Sequence, residues 1–327
     1  MNPAFSMVFL TTLIGVGQGL FLALFTAQSY SLFGLLPVQD GQRFYAHGSL
    51  LVLIFLCGGL LASFFHLGRP ERAWRSAAQW RTSWLSREVI VLPVFIATVL
   101  LYGLAHLLAW KPVLATLPSG LTIDATFVLG ALGWVLAFTL FVCTGMIYAC
   151  LRFLREWHTP LTVINYIMLG GASGFMLAAA FAVSAAPDLV GFFAGWAVII
   201  TALGLLGRVA SLRRNARLRP KSSLQTAIGV KHPVIRQTAL GFMGGSFNTR
   251  EFFHRARRPV LRAVKWFFLG AGFVVPMLLL LLGLAAGMAV ALILAFIVQY
   301  CGLLAERWFF FAEANHPQNL YYADIGK

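Results

Sequence analysis

The sequence has 327 residues, of which 60% are hydrophobic and only 11% charged, and its 25 Lys and Arg against 10 Asp and Glu give a formal net charge of +15. Soluble domains carry about 25% charged residues and do not collect their apolar residues into runs of membrane length, so a water-soluble protein is excluded and an integral membrane protein is expected. Nucleic acid is not an expected partner, because no nucleic-acid-binding fold or interleaved aromatic motif accompanies the positive charge.

Crossing roughly 30 Å of hydrocarbon takes about 20 helical residues. Eight apolar stretches meet that length, at 6–33, 49–66, 88–110, 124–150, 161–185, 189–208, 264–286 and 288–311. None shows the period-2 alternation of a membrane barrel strand. The expected fold is therefore all-α, eight transmembrane helices packed as bundles in a single membrane domain spanning 1–327. The first run, "FSMVFLTTLIGVGQGLFLALF", lacks a basic leader and exceeds a signal-peptide core, so it reads as a retained span. Residues 208–263 form a long basic loop, in which spaced apolar residues and the Gly244-Gly245 turn signal favour an ordered segment covered by a partner. The last two spans touch at "GLAAGMA", a tight turn, and 312–327 make a polar tail.

With eight spans, every Lys and Arg except Arg43 and Lys111 falls on the face that also holds both termini. The positive-inside rule makes that face cytoplasmic. Attraction to anionic lipid accounts for the sign of the charge, and a docking surface for an acidic partner would account for its amount.

Apart from Glu306 and Arg307, near the inner end of the last span, the spans carry no charge in the bilayer core. Ion-coupled transport and proton pumping depend on such charges, and transporters add broken helices, so neither is expected. Gln18, Gln28, Asn165 and Gln299 read as interhelical hydrogen bonds, and Gly15, Gly17, Gly19, Gly170, Gly171 and Gly174 as close helix contacts. Cys57, Cys143, Cys150 and Cys301 form no C-x-x-C pair and read as core, with no metal expected. His47 and His106 sit toward the opposite face on adjacent helices. They could ligate a haem axially, or simply be interfacial histidines bonded to water or a carbonyl.

The stretch "FFHLGRPERAWRSAAQWRTSWLSRE", 64–88, concentrates charge where the chain otherwise has little. His66 closes the second span, and Gly68 and Pro70 stop its helix. Trp74, Trp80 and Trp84 among arginines have the composition of a segment lying in the membrane interface. Ser86 is placed to cap the third helix, with Glu88 in its first turn. His66 and Glu88 would then face each other at one depth. That arrangement suits a quinone, which needs a hydrogen-bond donor at its carbonyl and proton access from water. It suits equally well an interface belt with one His–Glu pair.

The residues "FFHLGRPERAWRS" and "SWLSREV" resemble the anchor-subunit motif of the dimethyl sulfoxide reductase family, in which one span ends in H-L-G-x-P-x-R-A-x and the next begins with L-S-x-E. His66, Leu67, Gly68, Pro70, Arg72, Ala73, Leu85, Ser86 and Glu88 match. "REWHTP" is similar to the loop before the fifth helix, and "ERWFFFAEANHPQNLYY" resembles the close of the branch with cytoplasmic catalytic subunits, the sulfite dehydrogenase anchors. The long 208–263 insert departs from the best-known members. The resemblance implies a multi-pass subunit of a bacterial cytoplasmic (inner) membrane. Its partners would be a four-cluster ferredoxin-like iron–sulfur subunit and a molybdopterin-bearing catalytic subunit, on the cytoplasmic face. It implies a quinone, ubiquinone or menaquinone, and no haem or metal in this chain, which would not itself turn over the primary substrate. His66 and Glu88 would belong to the quinone region, Arg72 matches the motif, and Arg75 is added from its position. Trp74, Ser86, Glu306 and Arg307 could complete the pocket. Other readings are a dimethyl sulfoxide reductase anchor oxidising menaquinol, a b-type cytochrome and a transporter.

Overall fold

The computed structural model describes residues 1–118, 120–219, 222–235 and 256–322. Among the described residues, eight helices are long and apolar enough to cross a membrane, and the chain is an all-α integral membrane protein. They are α1 (Phe5–Leu32), α2 (His47–Phe64), α3 (Trp84–Leu107), α4 (Ala125–Ala149), α5 (Pro160–Ala185), α6 (Val190–Ala216), α7 (Arg258–Ala286) and α8 (Ala289–Glu313). A π-helical turn, Gly41–Ala46, leads into α2, and another, Gly270–Val274, interrupts α7. Residues 220–221 and 236–255 of the expected basic loop, including Gly244 and Gly245, lie outside the described residues.

Local signals set the helix ends. Asp40 and Asp124 accept backbone N–H bonds at the entries to α2 and α4, and Thr159 caps α5 with Pro160 at its first position. Gly287 turns the chain tightly between α7 and α8 at φ 63°, a left-handed conformation that favours glycine. The turn at "GLAAGMA" is thus present. The Met1 ammonium donates to the Ala314 carbonyl at 2.8 Å, so the start of α1 and the end of α8 share one face.

Helix α1 is the axis of the bundle, packed by α2, α4, α5 and α8, and it is the most enclosed of the spans. Its contact with α5 is glycine on glycine. A methyl group at Gly174 would collide with the backbone of Gly19 and Leu20, and one at Gly19 with the carbonyl of Gly170. Without a hydrophobic drive between helices in lipid, such approach supplies the packing energy. The buried amides add interhelical bonds. Gln18 donates to the Ala137 carbonyl at 2.9 Å, Gln28 to Thr126 at 2.9 Å, Asn165 to Ser211 at 2.8 Å and Gln299 to Thr201 at 3.1 Å.

Some sequence expectations need correction. Ser83, not Ser86, caps α3, its hydroxyl accepting from the Ser86 N–H, and Glu88 therefore lies a turn deeper than its first turn. Serines three residues apart offer two equivalent starts, and the helix takes the earlier one. Helix α6 continues to Ala216, so Arg208 is inside a helix and only 2% exposed. The spans thus carry more charge than Glu306 and Arg307. Of the four cysteines only Cys143 is buried; Cys57, Cys150 and Cys301 are on the bundle's outer surface. A short antiparallel hairpin, β1 (Val113–Thr116) and β2 (Thr122–Asp124), joins α3 to α4, an element the apolar pattern does not announce.

Candidate functional site

The chain leaves α2 at Phe64, passes the exposed His66 and Gly68, and enters a short 3₁₀ helix, Pro70–Gln79. The segment is anchored to α3 from two sides. The buried Ser86 hydroxyl donates to the Ser76 carbonyl at 2.5 Å, and Arg87 donates to the carbonyls of Trp80 and Arg81 at 2.9 and 2.8 Å. Three arginines lie over three tryptophans, Arg75 over Trp74, Arg81 over Trp80 and Arg87 over Trp84, the last at 4.2 Å. Trp74 is 71% exposed, and Arg72 meets Glu71 at 3.8 Å on the surface, an exposed pair that contributes little. Arg72, Trp74 and Arg75 therefore form an outward-facing belt.

Glu88 is turned the other way. Its carboxylate accepts a 2.5 Å hydrogen bond from Thr144 of α4 and lines an internal cavity of about 20 Å³ with Thr11, Gln18, Tyr166 and Arg307. No hydrogen bond or ion pair joins His66 to Glu88 among the described residues. The crowding of the chain around His66 still withholds enough water to lower its pKa from the ordinary histidine value.

On the lipid side of the same α3–α4 contact runs an apolar groove of about 460 Å³, lined by Trp84, Arg87, Val91, Trp134, Phe138 and Cys143. Its volume lies within the roughly 300–1,000 Å³ of small-molecule sites. Thr144, which holds Glu88, is the next residue to Cys143. The groove and the carboxylate thus occupy opposite sides of one helix pair.

Behind Glu88, α6 and α8 bring together a buried ionic cluster of which the sequence shows only half. Arg208 meets Glu306 at 2.8 Å and Glu313 at 3.7 Å, and Arg307 meets Glu306 at 3.6 Å. The Arg307 guanidinium lies 3.9 Å from the Tyr166 ring centroid, and Arg208 lies over Phe268 and Phe309. Glu306 and Arg307 do sit on the cavity side. Arg208 escapes sequence reasoning because the polar residues after it look like loop, and its partner lies far along the chain.

The two histidines weighed as haem ligands have other neighbours. His106 is 2% exposed and its ring packs against Tyr45 and Tyr102, each at 4.6 Å between centroids. His47 contacts the Arg43 carbonyl at 3.1 Å. Among the described residues, no three His, Cys, Asp or Glu side chains gather as a metal site would require.

The family model described as DMSO reductase anchor subunit (DmsC) matches residues 1–312. The chain is 57% identical over 325 residues to the C subunit of sulfite dehydrogenase from Allochromatium vinosum, an alignment covering 99% of this chain and 100% of that protein.

Proposed function

The chain belongs to the DMSO reductase anchor subunit family, and from that membership we propose that it carries electrons from an iron–sulfur partner to quinone in the bacterial inner membrane, during sulfite oxidation. The substrate is suggested by the relative named as a sulfite dehydrogenase component. The partners would be a four-cluster iron–sulfur subunit and a molybdopterin catalytic subunit. They would dock on the basic face, which the positive-inside rule makes cytoplasmic, as are both termini.

The observation that carries the quinone assignment is Glu88, an inward carboxylate held by Thr144 immediately behind a membrane-open apolar groove. A quinone, ubiquinone or menaquinone, supplies two carbonyl oxygens that take up two electrons and two protons. The apolar walls of the groove suit its ring and tail, and Glu88 can hold and release a proton on the inner side of that wall. His66, whose pKa partial desolvation lowers, favours the neutral imidazole, which retains one N–H to donate from the membrane interface. Arg72 and Arg75, beside the exposed tryptophans, face where the partner's nearest cluster would lie and would stabilise negative charge reaching the quinone. Arginine suits this role because its charge is permanent.

The test uses the intact membrane complex. Sulfite is added while iron–sulfur reduction and quinone reduction are followed separately in wild type, Glu88→Gln and His66→Ala. The expected result is that the clusters still reduce but electrons no longer reach quinone. Quinone reduction at the wild-type rate in Glu88→Gln would remove the assignment.

A further inference from the structure

Two small voids lie end to end in the half of the bundle nearest the basic face. The first, about 20 Å³, is bounded by Glu88, Thr144, Tyr166 and Arg307. The second, about 10 Å³, is bounded by Tyr166, Arg307, Glu306, Asn165 and Glu156. Tyr166 and Arg307 are in the wall of both. A water needs about 10–15 Å³ of such space and two to four polar partners, so each void is of single-water size. The partners are present. Arg307 Nε and Asn165 Oδ1 are buried and find no hydrogen bond within the chain among the described residues. Leaving such atoms dry costs about 1–3 kcal/mol each, which a water in the void offsets.

An ionic clamp on α6 and α8 explains why Arg208, Glu306 and Arg307 meet. It does not explain why the polar lining continues past Arg307 and Tyr166 to Glu88, on a helix that takes no part in the clamp. Nor does Glu88 have a cation in ion-pair contact among the described residues. Glu156, at the far end, is only partly buried and sits in the turn between α4 and α5 on the basic face.

We propose that these voids are a proton route from the basic face to Glu88, entering at Glu156, passing Glu306, and crossing a neck formed by the Tyr166 hydroxyl and Arg307. The proposal rests on the reading of Glu88 as the proton donor to quinone. Each quinone reduced takes two electrons from the partner's clusters and two protons from the protein. Each proton that leaves Glu88 is replaced by one shifted along the hydroxyl and waters from bulk water at the basic face, and the chain ends unchanged. The fixed cation of Arg307 disfavours a free hydronium at the neck, so transfer there runs by hydrogen-bond exchange through the tyrosine. His158 and Arg214, bonded to backbone carbonyls beside the entrance, line neither void. Arg208, which pairs with Glu306 and Glu313, is a second fixed cation in the wall of the second void.

Two measurements on the intact complex test this. First, Tyr166→Phe, which keeps the ring and removes only the hydroxyl, and Glu156→Gln at the entrance are assayed for quinone reduction with cluster reduction followed in parallel. The expected result is normal cluster reduction, quinone reduction slowed at least about tenfold in Tyr166→Phe, and partial recovery on adding a small weak acid such as formate. A packing role for Tyr166 would not respond to the acid. A wild-type rate in Tyr166→Phe, or slowed rates that no weak acid restores, overturns the route. Second, X-ray radiolytic footprinting, which oxidises side chains beside internal water, should mark Tyr166 several-fold faster than Tyr102. Both tyrosines are buried, at 5% and 0% exposure, but Tyr102 lines neither void. Equal labelling overturns the wet path without reference to quinone. Glu88→Gln separates the two ideas: if that variant reduces quinone normally, the quinone assignment fails, whereas a defect in Glu88→Gln with none in Tyr166→Phe sinks only the route.

Discussion

The Arg208 guanidinium of α6 lies 2.8 Å from the Glu306 carboxylate of α8, and both side chains are 2% exposed. An ion pair this deep contributes little net energy while both partners are present, because desolvation offsets the attraction. Removing one partner is costly. Arg208→Ala should destabilise the fold by about 3–5 kcal/mol, since Glu306 is left short of compensation. Thermal unfolding in detergent measures it, and Arg208→Lys should fall between, having a charge but no planar fork.

Helix crossing gives a second prediction. Gly174→Ala inserts a methyl into the backbone of α1, and overpacking of this kind costs about 1–3 kcal/mol or more. Gly191→Ala and Gly195→Ala, where an added methyl meets nothing within 4 Å, should leave the melting temperature nearly unchanged. If all three variants melted alike, glycine contact would not be what joins α1 to α5.

Thr144→Val is the mildest probe of Glu88. It keeps the shape of the residue and deletes the donor to a carboxylate, an interaction of about 1.5–3 kcal/mol. Quinone reduction by the complex should fall by about tenfold or more, since each 1.4 kcal/mol is a factor of ten, with assembly of the complex intact by size-exclusion chromatography.

The acid limb of the pH profile should belong to His66. Partial loss of water around the exposed ring lowers its pKa from the ordinary 6.5, so the unfolded chain binds that proton more readily than the folded one. The neutral form, and the stability it brings, is present above the unfolded value and lost as pH falls through the lowered one. Quinone reduction should accordingly hold down to pH values below 6.5 before it declines. In His66→Gln, which cannot titrate, that decline should vanish.

Orientation is open to chemical labelling. Cys150 ends α4 on the basic face and is exposed, whereas Cys143 is buried. A membrane-impermeant maleimide should modify Cys150 in inverted vesicles and not in right-side-out ones. The opposite pattern would put the basic face outside the cell.

The spans are legible in the sequence because the bilayer demands a fixed length of apolar helix, and nothing else in a sequence looks like that. The buried amides and the glycines are legible for a related reason, since in hydrocarbon a polar side chain must find another helix and a missing side chain invites one. What cannot be read is pairing over distance. Arg208 looks like the first residue of a basic loop until Glu306 is seen beside it, and Glu88 looks interfacial if Ser86 rather than Ser83 begins the helix. The hairpin at Val113–Asp124 has a faint signal, alternating residues around Pro118-Ser119-Gly120, which is easily lost between two long apolar runs.

The central position of α1 bears on how the protein is made. It leaves the ribosome four spans before α5, which carries the glycine surface it meets. Until then its polar Thr11, Thr12 and Gln18 have no complete set of neighbours, and a close-fitting groove on its side stands open to lipid. Its contacts with α2 and α4 can form as those spans follow it, and the side that α5 covers is the part left waiting. The glycine contact that closes the bundle around α1 can therefore form only once five spans are in the membrane.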